Sequence, residues 1–258
     1  MQIKVLAIGD VVGKGGMEML RGHLAKLQKE KDISFTVING ENASGLGISP
    51  KLAEEILDLG ADCITLGNHS WARKEIIPYL SDSYNVIRPI NFAPKVPGWG
   101  YGVFDRPFGR IIVINAIGRC GMDFGFENPF LLVNQLLEKE QADIVLLDFH
   151  AEATSEKLAM AHYLDGRVSA VWGTHTHVQT SDAMVFPKGT GYITDLGMTG
   201  PAHSVLGVLP EQSVSMFLGN PRNRFEEAPG ACKLEGAVIT INTLTKRCEH
   251  VEALRIYD

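Results

Sequence analysis

Short apolar runs alternate with helical patterns through the first two-thirds of the chain, and this alternation constrains the fold more than any other feature. A short apolar, β-branched run predicts a buried strand, and apolar residues spaced by three and four predict a helix. Repeated strand–helix units form α/β sheets with mostly parallel strands. The predicted strands are 3–8, 34–38, 63–66, 111–116, 144–149 and 168–172. The predicted helices are 17–30, 52–60, 71–80, 129–140 and 154–164.

The last third of the chain has a different pattern, with strand-like runs and few helical stretches between them. These runs are 184–186, 191–194, 213–217, 235–242 and 250–256. They predict a second, more antiparallel sheet, and the turn-rich stretch 218–230 predicts a long surface loop. Because we find neither an internal repeat nor a linker long enough to divide the chain, we expect a single domain over residues 1–258.

Composition narrows the classes of partner. The formal net charge is −6, whereas nucleic-acid-binding proteins present a basic face, so stable DNA binding is not expected. The four cysteines, Cys63, Cys120, Cys232 and Cys248, lie far apart without CxxC spacing, which is typical of reduced thiols in a cytosolic protein. We see no signal-peptide pattern and no apolar run near the ~20 residues of a membrane helix, so we expect a cytoplasmic protein.

Five of the predicted strands end in residues that can ligate a metal ion. They run into Asp10, into Glu41 and Asn42, into Asn68 and His69, into His150, and into His175 and His177. Glycine stands before four of these polar groups and allows a sharp turn off the strand. Since sites in open α/β sheets form outside the carboxyl ends of the strands, we expect these side chains to converge at one edge of the sheet.

The ligand types predict a pair of metal ions. The candidate ligands are Asp10, Glu41, Asn42, Asn68, His150, His175 and His177. Two carboxylates, two amides and three imidazoles are too many for one ion and suit two divalent ions about 3.5–4 Å apart. His175 and His177, two residues apart in extended chain, would point the same way and reach different ions, and Glu41 is the expected bridge. Nitrogen and oxygen ligands without thiolate favour iron, manganese or zinc.

Taken one at a time, these residues have simpler explanations. Asp10 could cap the following helix, Glu41 and Asn42 could be turn residues, and His150 could be a hydrogen-bonded core histidine. His69 could be an ordinary residue at a helix N-terminus. Their joint occurrence at five strand ends favours the functional site.

Other polar residues stay open at this stage. The stretch 9–16, GDVVGKGG, is not a phosphate-binding P-loop, because it is one residue short and has Gly15 where Ser or Thr is required, but the other residues can be interpreted in two ways. His203 lies in a glycine-rich stretch that could line the cleft as readily as not. Arg222 and Arg224 could meet a substrate phosphate or a partner subunit, although a surface position is the simpler expectation for both.

Between residues 9 and 177, the motifs GD, NGEN, GNH, a lone His and GTHTH resemble those of the calcineurin-like metallophosphoesterases. Three positions depart from that superfamily: Val12 stands for a histidine, Glu41 for the bridging aspartate and Ser70 for an acidic residue. These departures, together with IGDVVG, NGENA, LGNHSW, GTHTHVQT and DLGMTGP, are similar to one subgroup, the YmdB-like phosphodiesterases. The last of these stretches lies at 195–201, so the likeness reaches most of the chain.

The resemblance implies a four-layer α/β/β/α sandwich of the metallophosphoesterase type, with two central mixed sheets flanked by helices. It implies a pair of transition-metal ions, iron first, with manganese or zinc as alternatives. By motif position, one ion would be held by Asp10, Glu41, Asn42 and His177, and the other by Glu41, Asn68, His150 and His175. Asn42 would compensate for the histidine that Val12 replaces.

The implied activity is hydrolysis of 2′,3′-cyclic nucleotides to 3′-nucleotides, and of other phosphodiesters. The expected nucleophile is a hydroxide bridging the ions, and His69, directly after Asn68, is the expected general acid. We expect a small nucleotide or phosphodiester substrate, no membrane partner, and a homo-oligomer. Two alternatives stay open: a broad-specificity phosphomonoesterase or nucleotidase, and a metal-holding regulatory protein in RNA-linked signalling.

Overall fold

The structure is a computed structural model that describes residues 1–122, 127–220 and 224–258. The described strands form two sheets. The first contains β1 (Gln2–Ile8), β2 (Asp10–Val11), β3 (Phe35–Asn39), β4 (Cys63–Thr65), β5 (Val86–Ile87), β12 (Met198–Pro201), β13 (Cys232–Asn242) and β14 (Arg247–Tyr257). Its strand order is β2-β12-β13-β1-β3-β4-β5, with β14 beside β13. Strands β1, β3, β4 and β5 are parallel, while β13 is antiparallel to β1, β12 and β14.

The second sheet has a parallel centre and antiparallel edges. It contains β6 (Tyr101–Arg106), β7 (Gly109–Ile117), β8 (Ile144–His150), β9 (Ala170–Thr174), β10 (Met184–Val185) and β11 (Gly191–Ile193). The order is β10-β11-β9-β8-β7-β6. Among these described strands, the outer pairs, β6 with β7 and β10 with β11, are antiparallel, and the inner pairs are parallel. Both sheets are therefore mixed, as expected.

Two of the six described helices begin at a residue whose side chain caps them. The six helices are α1 (Gly13–Lys31), α2 (Pro50–Asp58), α3 (Ile76–Asp82), α4 (Pro129–Lys139), α5 (Thr154–Leu164) and α6 (Pro210–Phe217). Ser49 accepts a hydrogen bond from the Leu52 N–H at the start of α2, and Asn128 does the same for the Phe130 N–H at the start of α4. Both helices carry proline in the first turn, where its missing N–H costs no hydrogen bond.

Three buried clusters define the layers. Successive residues of β1 point to opposite faces, so Leu6 packs with the first helices on the outer face, while Val5 packs with strands of the second sheet between the sheets. On the outer face of the second sheet, Val133 of α4 and Met160 of α5 pack against Phe149. The order of layers is helix, sheet, sheet, helix, which confirms the predicted α/β/β/α fold class.

Two details of the predicted architecture are wrong. Residues 213–217 lie in α6 and not in a strand: Ser213 is buried whereas Val214 and Phe217 are exposed, and a short apolar run does not distinguish the two by periodicity. The strands of the last third form no sheet of their own within the described ranges. Strands β10 and β11 join the second sheet, and β12 to β14 join the first, where every residue of β1 pairs with a residue of β13.

The predicted helix 71–80 begins only at Ile76. Residues before it form turns, in which the Ala72 N–H donates to the His69 carbonyl at 3.0 Å. Throughout the described ranges, we find no helix with the length and apolar composition that a bilayer span requires.

Candidate metal centre

The polar strand ends meet where the two sheets face each other. Strands β1, β3 and β4 of the first sheet place Asp10, Glu41, Asn42 and Asn68, because parallel strands have their carboxyl ends on the same side. Strands β8 and β9 of the second sheet place His150, His175 and His177. We predicted that these side chains converge at one edge of a single sheet. That detail is wrong, because the edges of two sheets supply them.

His150 lies at the centre of one group of ligand atoms. Its Nε2 lies 2.9 Å from Asn68 Oδ1, 3.1 Å from Glu41 Oε1 and 3.1 Å from His175 Nδ1. Ligand atoms of Glu41, His150 and His175 all lie within 4.8 Å of one another. These atoms carry lone pairs and lie close together, which is the arrangement that a cation stabilises.

A second group lies on the other side of Glu41. His177 Nε2 is 3.5 Å from Asp10 Oδ1 and 3.3 Å from Asn42 Nδ2, and Asn42 Nδ2 is 3.3 Å from Glu41 Oε1. Asp10 is fully buried, and its Oδ1 has no hydrogen-bond partner among the described residues. A buried carboxylate oxygen is rarely left without a partner, so this atom is suited to bind a cation. Glu41 contacts both ligand groups, through His150 in the first and Asn42 in the second.

The pKa values reflect this crowding. Burial opposes ionisation of Glu41, but the neighbouring His150 and His69 outweigh it, and the pKa of Glu41 lies well below its usual value. Burial likewise disfavours charge on His150, yet Glu41 and Asp10 raise the pKa of His150 to about 9. The pKa of His175 falls to about 4 because this ring is buried and lies beside His150. A bound cation would replace the proton of His150, since a ligating imidazole must be neutral.

His69 differs from His150 in its exposure. Its side chain is 32% exposed, against 0% for His150. The backbone N–H of His69 donates to Glu41 Oε2 at 3.1 Å. Its ring Nδ1 lies 3.1 Å from Asn42 Oδ1, and its ring Nε2 lies 3.0 Å from Asn68 Nδ2. The ring therefore lies beside the ligand cluster and faces the open side of the site.

A cavity of about 650 Å³ opens onto the cluster. The cluster residues that line it are Glu41, Asn42, His69, His175 and His177. Arg224 also lines it, whereas His203 lies outside the cavity lining. Arg222, the other arginine considered from the sequence, lies outside the described residues.

Comparison with known proteins establishes the family. The model of the family described as YmdB-like protein matches residues 6–254. This chain belongs to the YmdB-like family. The 2′,3′-cyclic-nucleotide 2′-phosphodiesterase of Bacillus subtilis (strain 168) is 43% identical to it, over 99% of this chain and 98% of the relative.

Two solved structures agree with this assignment. A novel phosphatase from Mycoplasma pneumoniae superimposes with a TM-score of 0.95 at 36% identity, covering 100% of this chain and 94% of that one. A hypothetical protein from Thermus thermophilus superimposes with a TM-score of 0.92 at 38% identity, covering 99% of this chain and 100% of that one. The predicted family and the prediction of a phosphoesterase enzyme are confirmed.

The YmdB-like chain orients His150 through residues that the sequence did not reveal. His150 Nδ1 lies 3.0 Å from Thr174 Oγ1, and the Thr174 hydroxyl donates to Asp148 Oδ1 at 2.6 Å. Thr65 donates a second hydrogen bond to the same carboxylate. Burial raises the pKa of Asp148 to about 6, with the hydroxyl hydrogen bonds opposing. This chain of partners places a proton on Nδ1 and leaves Nε2 free for the cluster, as outer partners of metal-binding histidines do.

A buried ion pair holds the loop that carries the other two histidines. His175 and His177 have φ of 98° and 61°, a left-handed conformation that is uncommon outside glycine. Between them, Thr176 donates from its N–H and its hydroxyl to Asp195 Oδ2, at 3.2 and 2.7 Å. Lys157 donates to the same oxygen at 2.7 Å, and both charged side chains are buried. Asp195 opens the DLGMTGP stretch, which was the only sequence signal, whereas Lys157 in α5 gave none.

We expect Asp195→Asn to lower the free energy of unfolding of the metal-free protein by about 3–5 kcal/mol, since it leaves Lys157 buried without its counter-charge. The weakened loop should also lower metal affinity about 10–100-fold. Urea unfolding and a manganese titration measure the two effects. Glu30→Gln, which removes one partner of the exposed Lys26–Glu30 pair, is the control and should change neither. An unchanged metal affinity in the Asp195 variant would show that the pair does not position the loop.

Proposed function

We propose that this YmdB-like chain is a metal-dependent phosphodiesterase that opens 2′,3′-cyclic nucleotides at the 2′ ester bond and releases 3′-nucleotides. The observation that carries this proposal is a cluster of carboxylate, amide and imidazole groups beside a cavity, with one buried Asp10 oxygen lacking a hydrogen-bond partner among the described residues. The activity named for the Bacillus subtilis relative supports the choice of substrate.

Two metal ions suit the donor set. One would be held by Asp10, Glu41, Asn42 and His177, and the other by Glu41, Asn68, His150 and His175, with Glu41 shared. When bound, such a pair stabilises negative charge on the phosphoryl oxygens and lowers the pKa of a coordinated water. The mixture of nitrogen and oxygen donors suits iron, manganese or zinc, and the family resemblance puts iron first.

His69 acts on the leaving group in this proposal. Its ring is partly exposed and lines the cavity, so a substrate there can reach it. Cleavage of the 2′ ester leaves an alkoxide that must take up a proton, and His69 supplies it as general acid. Asn42 and Asn68, which contact its two ring nitrogens, keep the ring beside the reacting phosphate.

Phosphomonoesterase activity is the second candidate, since the Mycoplasma pneumoniae structure bears the name phosphatase. We also propose that residues 1–258 form one domain, which the pairing of β1 with β13 supports. The homo-oligomer, the cytoplasmic location, the lack of stable DNA binding and the regulatory alternative stay predictions from the sequence.

Metal removal and reconstitution test the proposed function. We expect protein stripped with a chelator to hydrolyse neither 2′,3′-cyclic AMP nor p-nitrophenyl phosphate, because the carboxylates and imidazoles alone activate no water. Manganese or ferrous iron should restore hydrolysis of the cyclic nucleotide, with 3′-AMP as the product on chromatography. Faster turnover of the monoester would favour the phosphatase, and activity of the metal-free protein would contradict the proposal.

A further inference from the structure

We infer that the cavity beside the metal centre holds the base of a nucleotide, with Leu206 and Leu46 contributing apolar surface for the base. This inference rests on the proposed function for the position of the phosphate. The cavity volume of about 650 Å³ exceeds what a phosphate at the cluster would fill. The remaining volume therefore has room for the group that the phosphate carries.

The chemistry of this lining suits a heteroaromatic ring. Apolar side chains line it from two loops: Leu46 from one, and Leu206 and Val208 from the other. Leu46 is 52% and Leu206 49% exposed, so large aliphatic surface is available at the site. Arg224 adds a guanidinium, which donates hydrogen bonds only. Apolar contacts for the ring faces and a donor for ring nitrogens or carbonyls are what a nucleobase requires, and ligand pockets commonly combine them.

The Leu206 side of the cavity is held by its own hydrogen bonds. Leu209 N–H donates to the Glu226 carbonyl at 3.0 Å, and Ala228 N–H donates to the Gly207 carbonyl at 3.0 Å. Glu227 accepts from the N–H groups of Lys14 and Gly15 at 2.9 and 2.7 Å, which ties this segment to the start of α1. The surface is therefore preformed, and little ordering is needed when a ligand binds.

Leu206 also contacts the metal centre through its backbone. Its carbonyl lies 3.2 Å from Nδ1 of His177, whose Nε2 faces Asp10. Leu206 has a φ of 54°, a left-handed conformation that is strained for a leucine. Such strain persists only where the surroundings impose it and is concentrated at functional sites. Leu206 thus positions the proposed metal ligand His177 with its backbone carbonyl, and its side chain lines the adjoining cavity.

The opposite loop is fixed by a different residue. Arg73 donates from Nη2 to the Ser44 carbonyl at 2.9 Å and from Nε to the Leu46 carbonyl at 3.2 Å. These bonds hold the backbone of Leu46 and leave its side chain exposed at the cavity. The two loops are therefore fixed independently, and each can be altered without touching the other.

The test compares ligands with and without a base. In the manganese-loaded wild type, we expect adenosine 3′-phosphate to bind at least about tenfold more tightly than ribose 3-phosphate in calorimetry, which corresponds to a few buried methylene groups. Leu206→Ala should remove most of this difference, and it should lower the ratio of kcat/KM for 2′,3′-cyclic AMP over methyl riboside 2′,3′-cyclic phosphate by about tenfold. Leu218→Ala, at an exposed residue outside the cavity lining, is the matched control and should preserve both ratios.

Leu46→Ala serves as the second variant, because the Leu46 carbonyl accepts from Arg73, whereas that of Leu206 lies beside the proposed metal ligand His177, so metal content should be retained. It should lower the same ratios about three- to fivefold. Equal binding of the two ligands by wild type, or unchanged ratios in both variants, would overturn the inference. If adenosine 3′-phosphate binds more tightly than ribose 3-phosphate but 2′,3′-cyclic AMP is not hydrolysed, the proposed function is contradicted while the inferred base site is supported.

Discussion

Replacing His69 with alanine is expected to lower kcat for 2′,3′-cyclic AMP by about 10²–10⁴-fold, the usual contribution of a general acid. Both ions should stay bound under saturating metal, because the ring contacts Glu41, Asn42 and Asn68 but is not itself one of the proposed ligands. Turnover under saturating substrate and metal analysis after gel filtration measure the two quantities. The effect should shrink for a diester with a leaving group that needs no proton, such as p-nitrophenolate.

The matched control for this variant is His203→Ala, which removes a histidine that does not line the cavity. It should leave both kcat and metal content unchanged. If His69→Ala abolishes metal binding, His69 must be reassigned as a ligand. If it slows p-nitrophenolate release as much as the cyclic ester, the proton-transfer role fails.

Replacing Glu41 with glutamine is expected to weaken the binding of both metal ions together, by more than the roughly 10–100-fold typical of losing an outer partner. Glu41 Oε1 lies 3.1 Å from His150 Nε2 in one ligand group and 3.3 Å from Asn42 Nδ2 in the other. Removing its charge therefore affects both sites. Competition with a chelating dye, read as the number of ions bound per chain, measures the loss.

Asn68→Ala provides the comparison for Glu41. Asn68 Oδ1 contacts His150, and Asn68 belongs to one proposed ion site only. This variant should lose one ion and keep the other. Stepwise loss of single ions from the Glu41 variant, at clearly separate affinities, would mean that the carboxylate does not bridge.

The site was predictable because its signals are local. Each ligand lies just after an apolar strand, so the strand pattern alone places Glu41 after β3 and His175 after β9. The carboxyl ends of parallel strands share an edge, which predicts convergence within each sheet, whereas the meeting of the edges of two sheets at the site is seen only in the structure. The predicted and observed bounds of these strands differ by only a few residues.

The parts that escaped prediction depend on contacts between distant residues. Lys157 lies in a helix and Asp195 in a loop, and only the folded chain shows that they meet beside Thr176. Which strands belong to which sheet also depends on distant contacts, because nothing in the sequence of β1 or β13 indicates that the two strands pair. The prediction of a strand at 213–217, which is part of α6, is wrong for a different reason. Val214 and Phe217 are exposed, so burial does not determine the spacing of the apolar residues there.

The pairing of β1 with β13 also affects how the chain can mature during synthesis. Gln2 lies opposite Asn242 and Ile8 opposite Gly236, so the strand that precedes Asp10 gains one of its neighbours only after residues 236–242 have left the ribosome. Such distant pairings slow folding and prolong the exposure of unpaired strands. The two strands can therefore align only after β13 has been synthesised, and a nascent chain that lacks β13 would present β1 without one of its two neighbours.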